Sequence, residues 1–192
     1  MAISSWSAGA KAQDSGKGNC FPSEIDEMHA VQFPQEKFAE LHGYRNTQTA
    51  GYNAAEFNTA VTVYTYDKKP VDGLTQEFRA SGSEIFAVHK GTESPMAGPV
   101  KLAIAGKQTD GLLGIFLWSE GETDFGSFLW LGEVSDKYVK IRTTYIRPEQ
   151  DDQTASAMRF AMTAMHKVAD HICMPDAPDP DDASRSASPS GN

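Results

Sequence analysis

Basic residues are scarce in this chain: 17 lysines and arginines stand against 26 aspartates and glutamates among 192 residues, a net charge of -9. A field of that sign repels nucleic-acid phosphates and anionic membrane surfaces, so nucleic acid is not expected as a partner. Long apolar runs are missing too. The longest strongly apolar stretch, LLGIFLW, falls well short of the roughly 18 residues of a membrane span, and no transmembrane segment is expected. Cysteine is nearly absent. Cys20 and Cys173 bracket the patterned region, and neither has the CxxC partner of a redox or zinc motif. Bridged, in an exported protein, they close a loop that the chain-entropy model values at about 5 kcal/mol. Unbridged, they are a loop thiol and a helix-end thiol, and the sequence leaves both alternatives open.

The opening segment MAISSWSAGAKAQDSGKGNC has no apolar stretch of the kind a secretory signal carries. Its small, polar, Gly/Ser/Lys-rich character fits the mature end of an exported protein, so a periplasmic or otherwise exported location is expected, with a cytoplasmic one as the alternative. Residues 1–20 read as a flexible tail, and MPDAPDPDDASRSASPSGN, from Met174, as a disordered acidic one, because neither can bury enough surface to offset its ordering entropy. Residues 21–173, in a chain that is 40% hydrophobic, are expected to form a single globular domain.

Within that domain the two prolines Pro22 and Pro34 limit FPSEIDEMHAVQFPQEKFAELHG to short helical pieces. YRNTQTAGY is weakly strand-like, and NTAVTVYTYD, with its period-two Thr, Val and Tyr content, predicts a strand. DKKPVDG reads as a turn. Leu74, Phe78, Ile85 and Val88 share a helical face, so a helix is predicted from Leu74 to about Lys90, weakened by Gly82. After the break GTESPMAGP come VKLAIAG, LLGIFLWSE, SFLWLGEV and KYVKIRTTYI, separated by the turn clusters KQTDG, GETDFG and SDK. Such close spacing predicts antiparallel hairpins, since parallel pairs need long crossovers. A final helix, QTASAMRFAMTAMHKVADHIC, follows Asp151 and Asp152 as candidate caps, with Met158, Met162 and Met165 on its apolar side as core filler. The element order predicts an α+β domain, an antiparallel sheet of about five to six strands packed by two main helices.

Chemical motifs are as scarce as cations. GAKAQDSGKG puts six residues between Gly9 and Gly16 where a phosphate loop needs four, and Gly18 stands where its Ser or Thr belongs. Glu24, Asp26, Glu27 and His29 lack metalloprotease spacing, and no metal site or cofactor is expected. The histidines are His29, His42, His89, His166 and His171; His166 and Asp170, four apart, read as a surface pair. No GxSxG elbow occurs.

What remains is one strand. In YVKIRTTY, Val139 and Ile141 alternate with Lys140 and Arg142, which share a face with Tyr138 and Thr144. The strand is therefore expected near a sheet edge or against a partly open surface. LLGIFLW and SFLWLGEV are apolar on both faces and expected to be central. Register permitting, Trp118, Trp130, Tyr64 and Tyr66 join Lys140, Arg142 and Tyr138 in an aromatic and cationic surface, the candidate ligand-binding site. The alternative is core aromatics with two cations laying their stems on apolar surface.

AVTVYTYD, a helix, SFLWLGEVSDKYVKIRTTYIRP and a closing amphipathic helix resemble a pattern in uncharacterised exported proteins of proteobacteria, which carry VTVYVYD-like and FVKIRATYP-like strands. More remotely, the order of elements is similar to the PsbP-like α/β/α sandwich. The resemblance spans roughly residues 44–173 and implies a sandwich-like fold and a cell-envelope role, with no catalytic residues to carry over. The expected function is a non-enzymatic exported domain that binds a partner protein or a small anionic ligand. The alternatives are a small hydrolase or transferase pairing a histidine such as His89 or His166 with a distant carboxylate, and a structural accessory subunit of a larger assembly.

Overall fold

The computed structural model describes residues 21–31, 47–68 and 73–172. Eight strands form one antiparallel sheet: β1 (Glu24–Ile25), β2 (Met28–Val31), β3 (Gln48–Ala54), β4 (Thr59–Asp67), β5 (Glu93–Ile104), β6 (Lys107–Glu120), β7 (Thr123–Val134) and β8 (Lys137–Arg147). Two helices accompany them, α1 (Leu74–Val88) and α2 (Asp151–Asp170). The spatial order is β1-β2-β3-β4-β8-β7-β6-β5. The chain builds a meander to β4, crosses by α1 to the far edge, and returns strand by strand until β8 pairs with β4.

The α+β class and the antiparallel pairing hold. The expectation of about five to six strands packed by two main helices, α/β/α sandwich-like, does not, because the sheet has eight strands and dominates the described residues. Eight strands span about 34 Å across the sheet. A helix is only about 10–12 Å wide, so the two described helices cannot layer both faces. The extra strands come from Phe21–Val31, where short helical pieces were expected. There Ile25 and Met28 both turn into the core across a hairpin closed by Asp26 and Glu27.

The predicted turn clusters also shrink. β5 runs through most of GTESPMAGP, and β6 and β7 absorb KQTDG and TDFG, leaving hairpin tips at Ala105–Gly106, Gly121–Glu122 and Ser135–Asp136. Tight hairpin tips need positive φ, which Ala105 (49°) and Gly106 (76°) both supply. Polar residues such as Gln108, Thr109 and Asp110 fit a strand there because this end of the outer hairpin lies in solvent.

β8 is not near an edge: it is fifth in the order, between β4 and β7. β6, expected to be central, lies next to the edge strand β5. Val139, Ile141 and Tyr145 of β8 join Val61, Val63, Phe128, Trp130 and the α2 residues Ala157, Ala161, Met165 and Val168 in the main core. Small residues at 157, 161, 164 and 169 let α2 approach the sheet closely. Of the predicted methionine stripe Met165 is buried, whereas Met158 is 37% exposed. Asp151 and Asp152 lie in the first turn of α2 rather than capping it, the cap position being Gln150. On the opposite face of the sheet α1 buries Glu77, Ser81, Gly82 and Ile85, with Gly82 set against Phe116. The expected Cys20–Cys173 alternatives, both tails, His42 and most of DKKPVDG lie outside the described residues.

Candidate functional site

The α1 face of β8 carries Tyr138, Lys140, Arg142 and Thr144, and the register of β4 sets Tyr66, Tyr64, Thr62 and Ala60 directly opposite them. On the other flank, β7 places Leu131 beside Lys140, Leu129 beside Arg142 and Ser127 beside Thr144. Trp118 of β6 faces the same side, in the row of Phe125 and Ile146. Tyr64, Tyr138, Trp118, Lys140 and Arg142 thus share one face. Trp130 does not. It pairs with Ile141, points into the α2 core and donates its indole N–H to Val100 O at 3.0 Å. An odd–even parity reading of SFLWLGEV separates Trp130 from Leu129 and Leu131, and the register places those two leucines on the Lys140 side.

The two cations have different surroundings. Lys140 is only 4% exposed; its Nζ lies 3.6 Å from Glu84 and 5.0 Å from the centre of the Tyr64 ring. Loss of hydration pushes its ammonium below the ordinary lysine range, against the pull of Glu84 and Glu77. Glu77, 2% exposed, accepts a 2.8 Å hydrogen bond from Tyr66 Oη, and Tyr66 leans on Tyr138 with ring centres 5.7 Å apart. Lys140 therefore belongs to the network that fastens α1 to the sheet. Reversing its charge puts a further carboxylate beside Glu84 and Glu77, so it cannot serve as a clean binding-site mutation in a folded protein.

Arg142 is half-buried and has no carboxylate in hydrogen-bond reach among the described residues. Its Nε donates to Ser127 Oγ at 3.4 Å, and Nη2 lies 3.2 Å from His89 Nε2. A guanidinium only donates, so His89 Nε2 is the acceptor and the ring proton sits on Nδ1. That proton is directed at Glu120 Oε1, 2.7 Å away, the same oxygen that takes the Trp118 indole N–H at 3.1 Å. The His89 ring stacks on Trp118 at 4.2 Å, and Trp118 in turn on Phe125 at 5.5 Å. Burial lowers the Arg142 pKa, and it raises that of the neighbouring Tyr64 phenol, which keeps the phenol a donor. Hydroxyls complete the surroundings: Ser127 and Thr144 are 3.2 Å apart, and Thr62 is close enough to Tyr64 to act on its phenol.

Sequence reasoning named His89 as one candidate base and gave it a distant carboxylate as partner without saying which; the structure supplies Glu120. Glu120, Ser127 and Thr62 went unnoticed. Ser127 was detectable, as the one hydroxyl at the start of an otherwise apolar SFLWL. His166 is exposed on α2, and Asp170, its expected partner, accepts instead from the Gly106 amide at 3.0 Å. His29 pairs with Glu24 in solvent at 3.2 Å. Among the described residues no helix is long and apolar enough to cross a membrane.

No family model matches the chain, and the comparison with curated proteins finds no match. Among solved structures, a Pseudomonas aeruginosa protein of unknown function, PA94, is similar with a TM-score of 0.41 and 10% identity. The match covers 79% of this chain and 99% of that one.

Proposed function

We propose that the chain is a non-enzymatic domain that binds a small anion at Arg142, as part of an exported protein of the cell envelope. The observation that supports the site is a half-buried guanidinium with no described carboxylate in hydrogen-bond reach, on which Glu84 acts only from a distance. A charge removed from water needs a counter-charge or a full set of hydrogen bonds, and two hydrogen bonds to neutral groups, one of them 3.4 Å long, with the centre of the Trp118 ring 5.9 Å from the guanidinium carbon, leave Arg142 under-compensated. An oxyanion there meets the guanidinium and the surrounding Tyr64, Thr62, Ser127 and Thr144 hydroxyls, donors suited to it. The envelope placement rests on the strand-motif resemblance alone.

The test is thermal unfolding of the full chain in sodium chloride, acetate and phosphate at one ionic strength. A ligand that binds only the folded state raises the melting temperature by mass action. Acetate or phosphate is expected to raise it relative to chloride, and Arg142→Met to remove the difference. Equal melting in all three salts sinks the proposal.

A hydrolase or transferase built on His89 has one observation in its favour, the 2.7 Å contact with Glu120 that orients the ring as a general base requires. The nitrogen such a base would use, Nε2, faces the Arg142 guanidinium and has no described hydroxyl or thiol hydrogen-bonded to it. The same triad of Glu120, His89 and Arg142 is better suited to holding the arginine still than to moving a proton.

A further inference from the structure

Resting on the anion-binding reading, we infer that the ligand is a monocarboxylate with a short apolar tail, gripped end-on by the Arg142 guanidinium. A guanidinium has two forks that match a carboxylate, one formed by Nε and Nη2 and the other by the two terminal nitrogens. Ser127 takes the Nε–H and His89 one N–H of Nη2. The second, Nη1 with the remaining N–H of Nη2, has no hydrogen bond to any described residue. Two parallel N–H groups at that end fit the two oxygens of one carboxylate.

Charge selects against a dianion. Lys140, the other cation of this face, is offset by Glu84, with Glu77 also close enough to act on it. Glu120 stands behind His89. Arg142 therefore has one positive charge to give, in a neighbourhood that already holds those three carboxylates. A carboxylate satisfies it, whereas a phosphate dianion brings a second negative charge that nothing nearby neutralises.

The tail follows from the strand. Beyond Arg142 the next residues on the same face of β8 are Thr144 and Ile146, partnered by Ala60 of β4 and Phe125 of β7, and all four are half-buried. Polar character thus gives way to apolar surface along β8 over about 13 Å, taking roughly 3.3 Å per residue. Part of that length is spanned by the arginine itself, and a tail of roughly four to six carbons matches the remainder.

Isothermal titration of the full chain with acetate, hexanoate and inorganic phosphate, at fixed ionic strength, tests this. One fully buried methylene is worth roughly fourfold in affinity, so partial burial of the tail should make hexanoate at least tenfold tighter than acetate. Phosphate should bind more weakly than acetate. Arg142→Lys keeps the charge and loses the fork, and should weaken hexanoate tenfold or more. Equal affinity for acetate and hexanoate overturns the apolar tail. Phosphate binding tighter than hexanoate, and lost in Arg142→Met, overturns the carboxylate while leaving an anion site in place. Silence of all three probes on the wild type, or hexanoate bound equally by Arg142→Met, overturns the site itself. Should a variant fail to fold, the side-chain Nε–H resonance of Arg142 in the wild type decides the question: with hexanoate it must move and with chloride stay still, and a resonance that ignores hexanoate overturns the site.

Discussion

Along β8, Val139, Ile141, Thr143 and Tyr145 point to the α2 side of the sheet, and Tyr138, Lys140, Arg142 and Thr144 to the α1 side. Both sets are largely withdrawn from water; Ile141 is 0% exposed and Lys140 4%. The first set is stabilised by removal of hydrocarbon from water, a non-directional effect that asks only for good packing. The second depends on directed contacts: Glu84 with Lys140, Glu77 with Tyr66, His89 and Ser127 with Arg142. The α2 face holds the larger hydrophobic core, and the α1 face combines smaller apolar clusters with groups whose properties burial has altered. A single strand that serves a core on one side and a polar network on the other explains why its cations are compatible with a central position.

The strongest way to break this comparison is to open the α2 face. Trp130 is fully buried, and Gly132 leaves room for its ring: a Cβ at that glycine would lie 2.2 Å from the indole. Trp130→Ala removes the ring and the bond to Val100, and should cost about 3–5 kcal/mol in urea unfolding. A loss under about 1 kcal/mol would show that this core is loosely packed and that the two faces do not differ as described.

The α1 face should respond to shape more than to charge. Lys140→Ala empties a buried site and leaves Glu84 and Glu77 without their cation, an expected loss of about 1–3 kcal/mol, moderated because Glu84 still reaches water. Lys140→Met fills the same volume and abolishes the desolvated ammonium while leaving the same two carboxylates, so it should cost less than Lys140→Ala, the difference measuring shape alone. The comparison has a pH signature. The folded-state pKa of Lys140 lies below the ordinary 10.5, so the buried ammonium costs stability while it stays protonated. As pH rises through the folded value toward 10.5 the unfolded chain holds more protons, and the wild type gains on Lys140→Met. A difference between the two proteins that does not change between about pH 8 and 10.5 contradicts burial of a charged amine at this position.

What the sequence made legible follows the same division. Period-two patterning in NTAVTVYTYD and KYVKIRTTYI located β4 and β8, and helical spacing located both helices, because one buried face imposes a period on its residues. The aromatic and cationic set on the α1 face was also within reach, apart from Trp130. Strand order was not. Alternating cations are the usual mark of an exposed flank, and nothing local to β8 reveals that Glu84, more than fifty residues earlier and on a helix, will cover Lys140. For the same reason Arg142 could be named but its surroundings could not: Ser127 reaches it through the register of the β7–β8 hairpin, and His89, with Glu120 behind it, comes from the far end of α1 more than fifty residues earlier.

The finest probe of the comparison lies in two adjacent threonines. Thr144 faces the α1 side, where its hydroxyl meets Ser127 Oγ at 3.2 Å. Thr143 faces the α2 side, between Val61 and Phe128, is 0% exposed, and its Oγ1 has no hydrogen-bond partner among the described residues. Valine has the same outline as threonine without the hydroxyl, so the same substitution at neighbouring positions asks opposite questions. At 143 it removes an unpaired polar group from hydrocarbon, and should stabilise the protein by about 1 kcal/mol. At 144 it deletes one half of a hydrogen bond, and should destabilise it by about 0.5–1.5 kcal/mol. Urea midpoints at an unchanged slope measure both. Opposite signs support a strand with one apolar and one polar face; a loss at both positions means that the Thr143 hydroxyl is satisfied and the α2 face is less purely apolar than its neighbours make it.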